Sequence, residues 1–240
     1  MNLMLRWFST CPLNMRYPVK FNLELRRNSY KGIYIVLEGI DGSGKTTQVE
    51  RLAKHYKKLG KHVVVTREPR KNGLIGDLAH KVLLGEEKLP AVALQYLFSA
   101  DRSAHHTELV EPSLKKGQVV ISDRCFWSAI VYGILDKTGG KYDKSIADQL
   151  LISQSILSMY HQFIVPDYTF LLKIPLKESL KRLSYKKEKK EIYEDKNKIA
   201  KVMTGYDYLA KRFPKEITVI DGDREIDIIT KDLISKIKKI

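Results

Sequence analysis

The stretch that decides the fold is Gly39-Ile40-Asp41-Gly42-Ser43-Gly44-Lys45-Thr46, which matches the phosphate-loop pattern G-x-x-x-x-G-K-[ST]. It follows the β-branched run Ile33–Glu38 and precedes apolar residues at helical spacing, so it joins a strand to a helix. Glycines let the backbone curl until several N–H groups point at one phosphate, and the helix N-terminus adds partial positive charge. Lys45 would reach the β- and γ-phosphates, and Thr46 would offer its hydroxyl to Mg²⁺. The motif therefore predicts a nucleotide site that extends from Gly39 to Thr47.

The same strand-and-helix pattern continues along the chain. Short, nearly continuous apolar runs are typical of strands that are buried on both faces. These runs are Ile33–Leu37, His62–Thr66, Val119–Ser122, Tyr168–Ile174 and Ile217–Ile220. Helical patterns between and after them are Leu74–Leu84, Ala91–Lys115, Ser145–Tyr160, Leu176–Lys187, Lys196–Arg212 and Ile226–Ile240. The alternation predicts an α/β fold over residues 32–240: a P-loop NTPase-type three-layer α/β/α sandwich with a five-stranded parallel sheet and a short lid.

The composition is that of a folded chain with a large positive charge. With 43 Lys and Arg against 28 Asp and Glu among 240 residues, the formal net charge is +15, and hydrophobic residues make up 43%. No run of about 18 apolar residues occurs, which excludes a spanning helix. The charge would suit nucleic-acid binding, but the densest basic stretch, Lys173–Lys201, holds few aromatic residues for base stacking. Anionic small substrates explain part of the charge equally well, so we expect neither a membrane nor a nucleic-acid partner.

Residues 1–31 differ from the rest of the chain, because they carry six basic residues against a single Glu. We interpret them as an N-terminal extension, either disordered or the product of an upstream start codon with translation beginning at Met15. An organelle-targeting leader is the less favoured alternative, since no amphipathic helix is visible. The two cysteines cannot form a disulfide scaffold, so we expect a reducing, cytoplasmic location.

Asp123 is the candidate acid for the metal. It ends the buried run that begins at Val119, where a Walker B aspartate is expected. Because the carboxyl ends of parallel strands face one crevice, Asp123 should lie beside the phosphate loop. Thr46 and Asp123 are therefore the expected Mg²⁺ ligands. The alternative role of Asp123 is to cap the helix that begins near Phe126.

Three arginines narrow the choice of nucleotide enzyme. A guanine-selecting N-K-x-D motif is missing, since the Asn-Lys pair at 197–198 continues as Ile-Ala, and this excludes a GTPase. Three arginines lie at strand ends or near the crevice: Arg67, Arg102 and Arg124. This is more positive charge than the binding of one nucleotide requires. Guanidinium forks suit a second, phosphate-bearing substrate.

Four motifs, taken together and in order, carry a family resemblance. They are Leu37–Thr47, Thr66-Arg67-Glu68-Pro69, Leu97-Phe98-Ser99-Ala100-Asp101-Arg102, and Ser122-Asp123-Arg124 with Ser128 and Tyr132. In this spacing the chain resembles the thymidylate kinases over residues 32–240. The resemblance implies transfer of the γ-phosphoryl group of ATP to dTMP, which gives dTDP and ADP for dTTP synthesis. It also implies Mg²⁺ as a cofactor and a homodimer.

The resemblance also implies a role for individual residues. Lys45, Asp41 and Arg124 would be catalytic, and Arg124 would also hold the acceptor phosphate together with Arg67. Phe98 would stack on the thymine ring. The implied substrate-binding residues are Arg67, Phe98, Arg102, Asp123, Arg124, Ser128 and Tyr132.

The chain departs from the family pattern in two regions. Gly42-Ser43 stands where some thymidylate kinases carry a catalytic arginine, so a lid at about residues 184–195 must supply the cations. The lid candidates are Lys186, Lys187, Lys189 and Lys190. Cys125 replaces a usual aromatic residue or His, Ala129 replaces a frequent polar base contact, and residues 70–73 replace a Gly-Gly pair. These differences leave the selectivity between dTMP and dUMP open.

Two other functions fit the phosphate loop. A deoxynucleoside kinase would act on a neutral 5′-hydroxyl, which needs a base, and Glu38 at the strand end is the candidate. A non-catalytic nucleotide- or nucleic-acid-binding protein would bind ATP without turnover. For the homodimer, the resemblance points to the helical segments Ala91–Lys115 and Ser145–Tyr160 as contact faces.

Overall fold

The computed structural model describes residues 26–140, 163–186 and 189–238. Its strands are β1 (Arg26–Arg27), β2 (Ile33–Glu38), β3 (Val63–Arg67), β4 (Val119–Asp123), β5 (Ile164–Val165), β6 (Tyr168–Lys173) and β7 (Ile217–Asp221). Five of them form one parallel sheet in the order β3-β4-β2-β6-β7, and β1 pairs with β5 in a separate parallel ladder. The register places Val119 of β4 opposite both Ile33 and Val63.

Helices cover both faces of this sheet. They are α1 (Lys45–Lys58), α2 (Leu74–Leu83), α3 (Ala91–His105), α4 (Glu111–Lys115), α5 (Phe126–Thr138), α6 (Leu176–Ser184), α7 (Lys196–Arg212) and α8 (Ile226–Lys236). A π-helical turn, His106–Val110, joins α3 to α4. Across the described ranges, none of the helices combines the length and the apolar character that a membrane crossing requires.

The central strand β2 divides the core into two layers. All six of its residues are buried, and successive side chains point to opposite faces of the sheet. Ile35 and Leu37 pack in a cluster with residues of α1 and α8, whereas Tyr34 and Val36 pack with residues of α3, α5 and α7. This arrangement confirms the predicted three-layer α/β/α sandwich with five parallel strands.

Two sequence predictions about the elements need correction. The edge strands β3 and β7 are not buried on both faces, since Val65 is 47% exposed and Val219 is 46% exposed. The predicted helix Ala91–Lys115 changes to π-helical geometry after His105. The cause is Pro112, which has no N–H to donate to a carbonyl in the preceding turn and crowds that turn. The predicted helix at 145–160 lies outside the described residues.

Residues 26–31, the last part of the predicted extension, contact the domain. Arg26 forms an ion pair with Glu111 at 3.0 Å, and Arg27 pairs with Glu216. Asn28 donates a hydrogen bond from Nδ2 to Asp167 Oδ2 at 2.6 Å. These contacts and the β1–β5 ladder attach the segment that leads into β2. Residues 1–25 lie outside the described residues.

Candidate active site

The phosphate loop follows β2 directly and depends on its glycines. Gly39, Gly42 and Gly44 have φ values of 142°, 77° and 91°, a region that side chains rarely tolerate. A Cβ atom at Gly39 would lie 2.6 Å from the Leu172 carbonyl oxygen, and one at Gly42 would lie 3.0 Å from that of Ser179. Gly44, the N-cap of α1, has no side chain that could cap the first N–H groups of the helix. Those groups are available to an anion.

The loop forms one wall of a large cleft at the carboxyl ends of the strands. Its volume is about 610 Å³. The predicted site residues that line it are Asp41, Gly42, Ser43, Gly44, Lys45, Thr46, Thr47, Arg67, Phe98, Arg102, Asp123, Arg124, Ser128, Tyr132 and Lys186. Donor-loop residues and acceptor candidates therefore share a single cavity.

Lys45 is folded back onto the loop that carries it. Its Nζ donates a hydrogen bond to the Ile40 carbonyl oxygen at 2.9 Å and lies 3.8 Å from Asp41 Oδ1. The side chain is 6% exposed. Burial, followed by the nearby Arg124 cation, lowers the pKa of Lys45. The ammonium group thus lies in the cleft wall, held against the backbone of the loop.

Thr46 and Asp123 meet as the strand-end argument predicts. Thr46 Oγ1 donates a hydrogen bond to Asp123 Oδ2 at 2.8 Å. The other carboxylate oxygen, Oδ1, is buried and accepts no hydrogen bond from the described residues. The helix that begins at Phe126 has Cys125 as its N-cap, so Asp123 is not its cap.

Arg124 connects the phosphate loop to the far wall of the cleft. Its Nη2 donates to Asp41 Oδ1 at 2.7 Å, and its Nη1 donates to Tyr206 Oη at 2.7 Å and to Ser128 Oγ at 3.2 Å. The guanidinium also lies 5.5 Å from the centre of the Tyr132 ring.

The backbone of Arg124 is held in a rare conformation. Its φ is 75°, in the left-handed region that non-glycine residues seldom adopt. The amide donates to the Leu37 carbonyl oxygen at 2.9 Å, and the carbonyl accepts from Ser122 Oγ at 2.7 Å. Backbone strain of this kind clusters at functional sites.

Glu38 is fully occupied by protein donors. The carboxylate is 1% exposed and accepts hydrogen bonds from Cys125 N at 2.9 Å, Ser128 Oγ at 2.6 Å and Tyr206 Oη at 2.9 Å. Burial raises the pKa of Glu38, against the opposing effect of the Arg124 cation and these donors. Glu38 does not line the cleft.

The end of the cleft that holds the predicted acceptor residues is built by β3, α3 and α5. Phe98 and Arg102 lie one helical turn apart on α3 and are 9% and 4% exposed. Arg67, at the end of β3, has a buried Nε that makes no hydrogen bond in the described part of the chain. Ala129 and Tyr132 complete this end. An aromatic face, a buried arginine and an unpaired guanidinium N–H suit a planar base that carries an anion.

The lid lysines occupy different places. Lys186 lines the cleft and donates from Nζ to Glu194 Oε1 at 2.7 Å. Lys189 forms an ion pair with Glu86 at 3.1 Å, and neither it nor the exposed Lys190 lines the cleft. Lys187 lies outside the described residues.

Three residues of the site were not predicted from the sequence. Arg182 of α6 donates from Nη1 to the Gly42 carbonyl oxygen at 3.2 Å, and the ion pair between Glu68 and Arg102 is buried. Tyr206 of α7 contacts Arg124 across 82 residues of sequence. The signal for Arg182 was its place at the end of the helix before the lid, whereas nothing local marks Tyr206.

Comparison with known proteins gives one consistent result. A family model described as thymidylate kinase matches residues 37–233. A probable thymidylate kinase of Thermococcus gammatolerans is 34% identical over 217 residues, which cover 87% of this chain and 97% of that protein. A thymidylate kinase of Sulfurihydrogenibium sp. is 35% identical over 210 residues, with 87% and 98% covered. The solved structure of thymidylate kinase from Candida albicans superposes with a TM-score of 0.68 at 25% identity, covering 86% of this chain and 91% of that one.

Proposed function

The chain belongs to the thymidylate kinase family, and on that premise we propose that it transfers the γ-phosphoryl group of ATP to dTMP, giving ADP and dTDP for dTTP synthesis. The observation that carries the proposal is the shared cleft, in which the phosphate loop faces Arg67, Arg102 and Arg124. The phosphate loop accounts for the binding of ATP, and a second substrate with its own phosphate group accounts for the arginines opposite the loop.

The reaction requires positioning and charge neutralisation more than proton transfer. An oxygen of the dTMP phosphate forms a bond to the γ-phosphorus while the bond to the β,γ-bridging oxygen breaks, and that oxygen leaves with ADP. The attacking phosphate oxygen is anionic at neutral pH, so no general base is needed. Lys45 and the loop amides bind the donor phosphates, and cations around the transferred group stabilise its charge.

Arg124 is placed to act on both substrates. Its hydrogen bonds to Asp41 on the loop and to Tyr206 and Ser128 on the opposite wall keep the guanidinium between the two subsites. Burial lowers the pKa of Arg124, but Tyr132, Tyr206 and Asp41 outweigh this effect and keep that pKa well above its ordinary value. A permanent cation here holds the acceptor phosphate and lowers the repulsion between it and the γ-phosphate.

The acceptor nucleotide fits the remaining residues. Phe98 offers a ring face for thymine, and Arg102 offers donors to the edge of the base. The unpaired Nε of Arg67 offers a donor to the acceptor phosphate. Tyr132 and Ser128 line the part of the cleft that the deoxyribose would occupy.

We assign Mg²⁺ to Thr46 and Asp123, which fit this metal. Both supply hard oxygen ligands, they lie 2.8 Å apart, and Asp123 Oδ1 has no hydrogen bond from any described residue. One or two protein ligands suffice, because Mg²⁺ takes its other ligands from water and phosphate oxygens. When bound, the ion supplies charge neutralisation at the donor phosphates.

The two alternative functions are less well supported. Glu38 cannot act as a base on a 5′-hydroxyl without breaking contacts to Cys125, Ser128 and Tyr206, and it lies behind the cleft wall. A purely binding protein would not need a strained arginine between two subsites.

A homodimer and a cytoplasmic location belong to the same proposal. Val92 and Tyr96 are one turn apart on α3 and are 49% and 62% exposed, and on the neighbouring helix α2, Leu74 and Leu78 are 92% and 41% exposed. An apolar surface of this kind is typical of a protein contact. Tyr96→Glu should convert a dimer to a monomer in sedimentation, and an unchanged mass would exclude this face.

ADP release tests the function directly. The enzyme is given ATP and Mg²⁺ with dTMP, dUMP, dGMP, AMP or thymidine as the acceptor, and Lys45→Met serves as the inactive control. Turnover selective for dTMP is the expected result. Turnover on thymidine instead would establish a nucleoside kinase, and ATP binding without any acceptor-dependent turnover would support the binding-protein alternative.

A further inference from the structure

We propose that Glu68 is a positioning residue that fixes the direction of the Arg102 guanidinium in the acceptor subsite, with His105 and Thr66 holding Glu68 in turn. The inference rests on the proposed function, because it gives Arg102 the base of dTMP to recognise. Glu68 acts through Arg102 and has no assigned contact with the reacting phosphates.

Helix α3 contacts the segment that runs from the end of β3 to Arg70 at several points. Thr66 and Glu68 both contact residues of α3, and Arg70 contacts Asp101 of the same helix through its backbone N at 2.9 Å and its Nε at 2.8 Å. Arg67 lines the cleft, as do Glu68 and Arg70. Helix α3 therefore holds every second residue of the segment that carries an acceptor-binding arginine.

Glu68 uses both carboxylate oxygens to hold α3. Oε2 accepts from Arg102 Nε, and Oε1 lies 3.1 Å from His105 Nδ1. His105 Nε2 lies 2.6 Å from Thr66 Oγ1. One tautomer satisfies both contacts of the ring: Nδ1–H donates to the carboxylate, and Nε2 accepts from the threonine hydroxyl. The imidazole thus joins Thr66 to Glu68 by a continuous chain of hydrogen bonds.

This chain of hydrogen bonds fixes the plane of the Arg102 guanidinium. The Nε–H bond lies in that plane, so the carboxylate oxygen that accepts from it defines how the fork is turned. Glu68, Arg102 and His105 are 2%, 4% and 0% exposed, so little solvent competes for these contacts. Although burial raises the pKa of Glu68, the Arg102 cation and the His105 hydrogen bond lower it to about 2. Glu68 is therefore ionised over the whole working range of pH.

Glu68→Gln tests the proposal with little change in volume. The amide keeps one oxygen acceptor but cannot hold both Arg102 and His105 as a carboxylate does. We expect the KM for dTMP to rise about tenfold, with the KM for ATP and kcat at saturating dTMP nearly unchanged. The matched control is Glu111→Gln, which removes a carboxylate paired with Arg26 and Lys115 away from the cleft and should leave all three constants unchanged.

A double-mutant cycle separates positioning from general destabilisation. If Glu68 acts through Arg102, the Glu68→Gln, Arg102→Gln double variant has the same KM for dTMP as Arg102→Gln alone. Additive increases, or equal losses for ATP and dTMP, would overturn the inference, as would an unchanged KM in Glu68→Gln. A normal KM in Arg102→Gln would overturn it as well, since no recognition would pass through that residue. Failure of the unsubstituted enzyme to phosphorylate dTMP would instead contradict the proposed function.

Discussion

Replacing Arg124 by Ala removes the group that joins the two subsites. The side chain contacts Asp41 on the phosphate loop and Tyr206 and Ser128 on the opposite wall. Alanine leaves each of these partners with another contact: Asp41 keeps Lys45, and Tyr206 and Ser128 keep Glu38. The expected defect is therefore in turnover and not in folding.

The size of both effects follows from these contacts. Two hydrogen bonds of 2.7 Å are lost, and since their partners keep other contacts, the free energy of unfolding should fall by about 2 kcal/mol. For a chain of this size that corresponds to a fall in Tm of roughly 4–8 °C. The loss of a preorganised cation beside the transferred phosphoryl group should lower kcat about 10³-fold, or about 4 kcal/mol of transition-state stabilisation.

Steady-state ADP release and thermal unfolding measure the two quantities on the same samples. Arg124→Lys keeps the charge without the fork and should lose roughly 10- to 100-fold in kcat. Arg212→Ala, at the end of α7 and outside the cleft, is the control for loss of an arginine. A kcat for Arg124→Ala within about tenfold of the unsubstituted enzyme would refute the reasoning.

Three further predictions concern Glu38, Gly42 and His106. Glu38→Gln should keep dTMP turnover within about tenfold of the unsubstituted enzyme, because removing a general base would lower kcat about 10²-fold or more. A larger loss of kcat with a normal Tm would instead indicate that Glu38 acts as a base. Gly42→Ala should destabilise the protein by about 1–2 kcal/mol and raise the KM for ATP, because φ at residue 42 is 77° and the new Cβ would lie 3.0 Å from the Ser179 carbonyl oxygen. A normal Tm together with a normal KM for ATP would contradict this crowding. Burial lowers the pKa of His106 from 6.5 to about 4. Between these pH values only the unfolded chain takes up a proton at this residue, so the free energy of unfolding should fall by about 3 kcal/mol as the pH drops from 6.5 to 4. His106→Gln should flatten that pH dependence in urea titrations, and an unchanged slope would show that another group causes it.

Most of the fold could be read from the sequence, because its signals are local. The central strands are continuous apolar runs, and parallel strands with both faces covered require such runs. Helix ends are harder to predict from sequence where tertiary contacts determine them. The break after His105 depends on how Pro112 is accommodated, and helical spacing alone does not report it.

The sequence predicts the site residues whose positions follow from the strand topology, but not those whose positions depend on tertiary packing. Thr46 and Asp123 lie together because both follow the carboxyl ends of neighbouring strands, which the strand order dictates. Tyr206 reaches Arg124 from the middle of α7, and no motif at that position distinguishes it from a core residue. The Glu68–Arg102 pair lay within recognised motifs, but the sequence does not say which carboxylate each arginine meets. Asp101, the neighbour of Arg102, pairs with Arg70 instead.

The close packing of α6 on the phosphate loop explains where a cation for the donor phosphates can come from. Ser179 is fully buried, donates from Oγ to the Asp41 carbonyl oxygen at 2.8 Å, and presents its own carbonyl oxygen to Gly42. The space beside residue 42 is therefore occupied by the backbone of α6, and a side chain at this position would crowd it. The same helix brings Arg182 to the Gly42 carbonyl oxygen one turn later. The close approach of α6 to Gly42 thus brings the positive charge of Arg182 onto the phosphate loop.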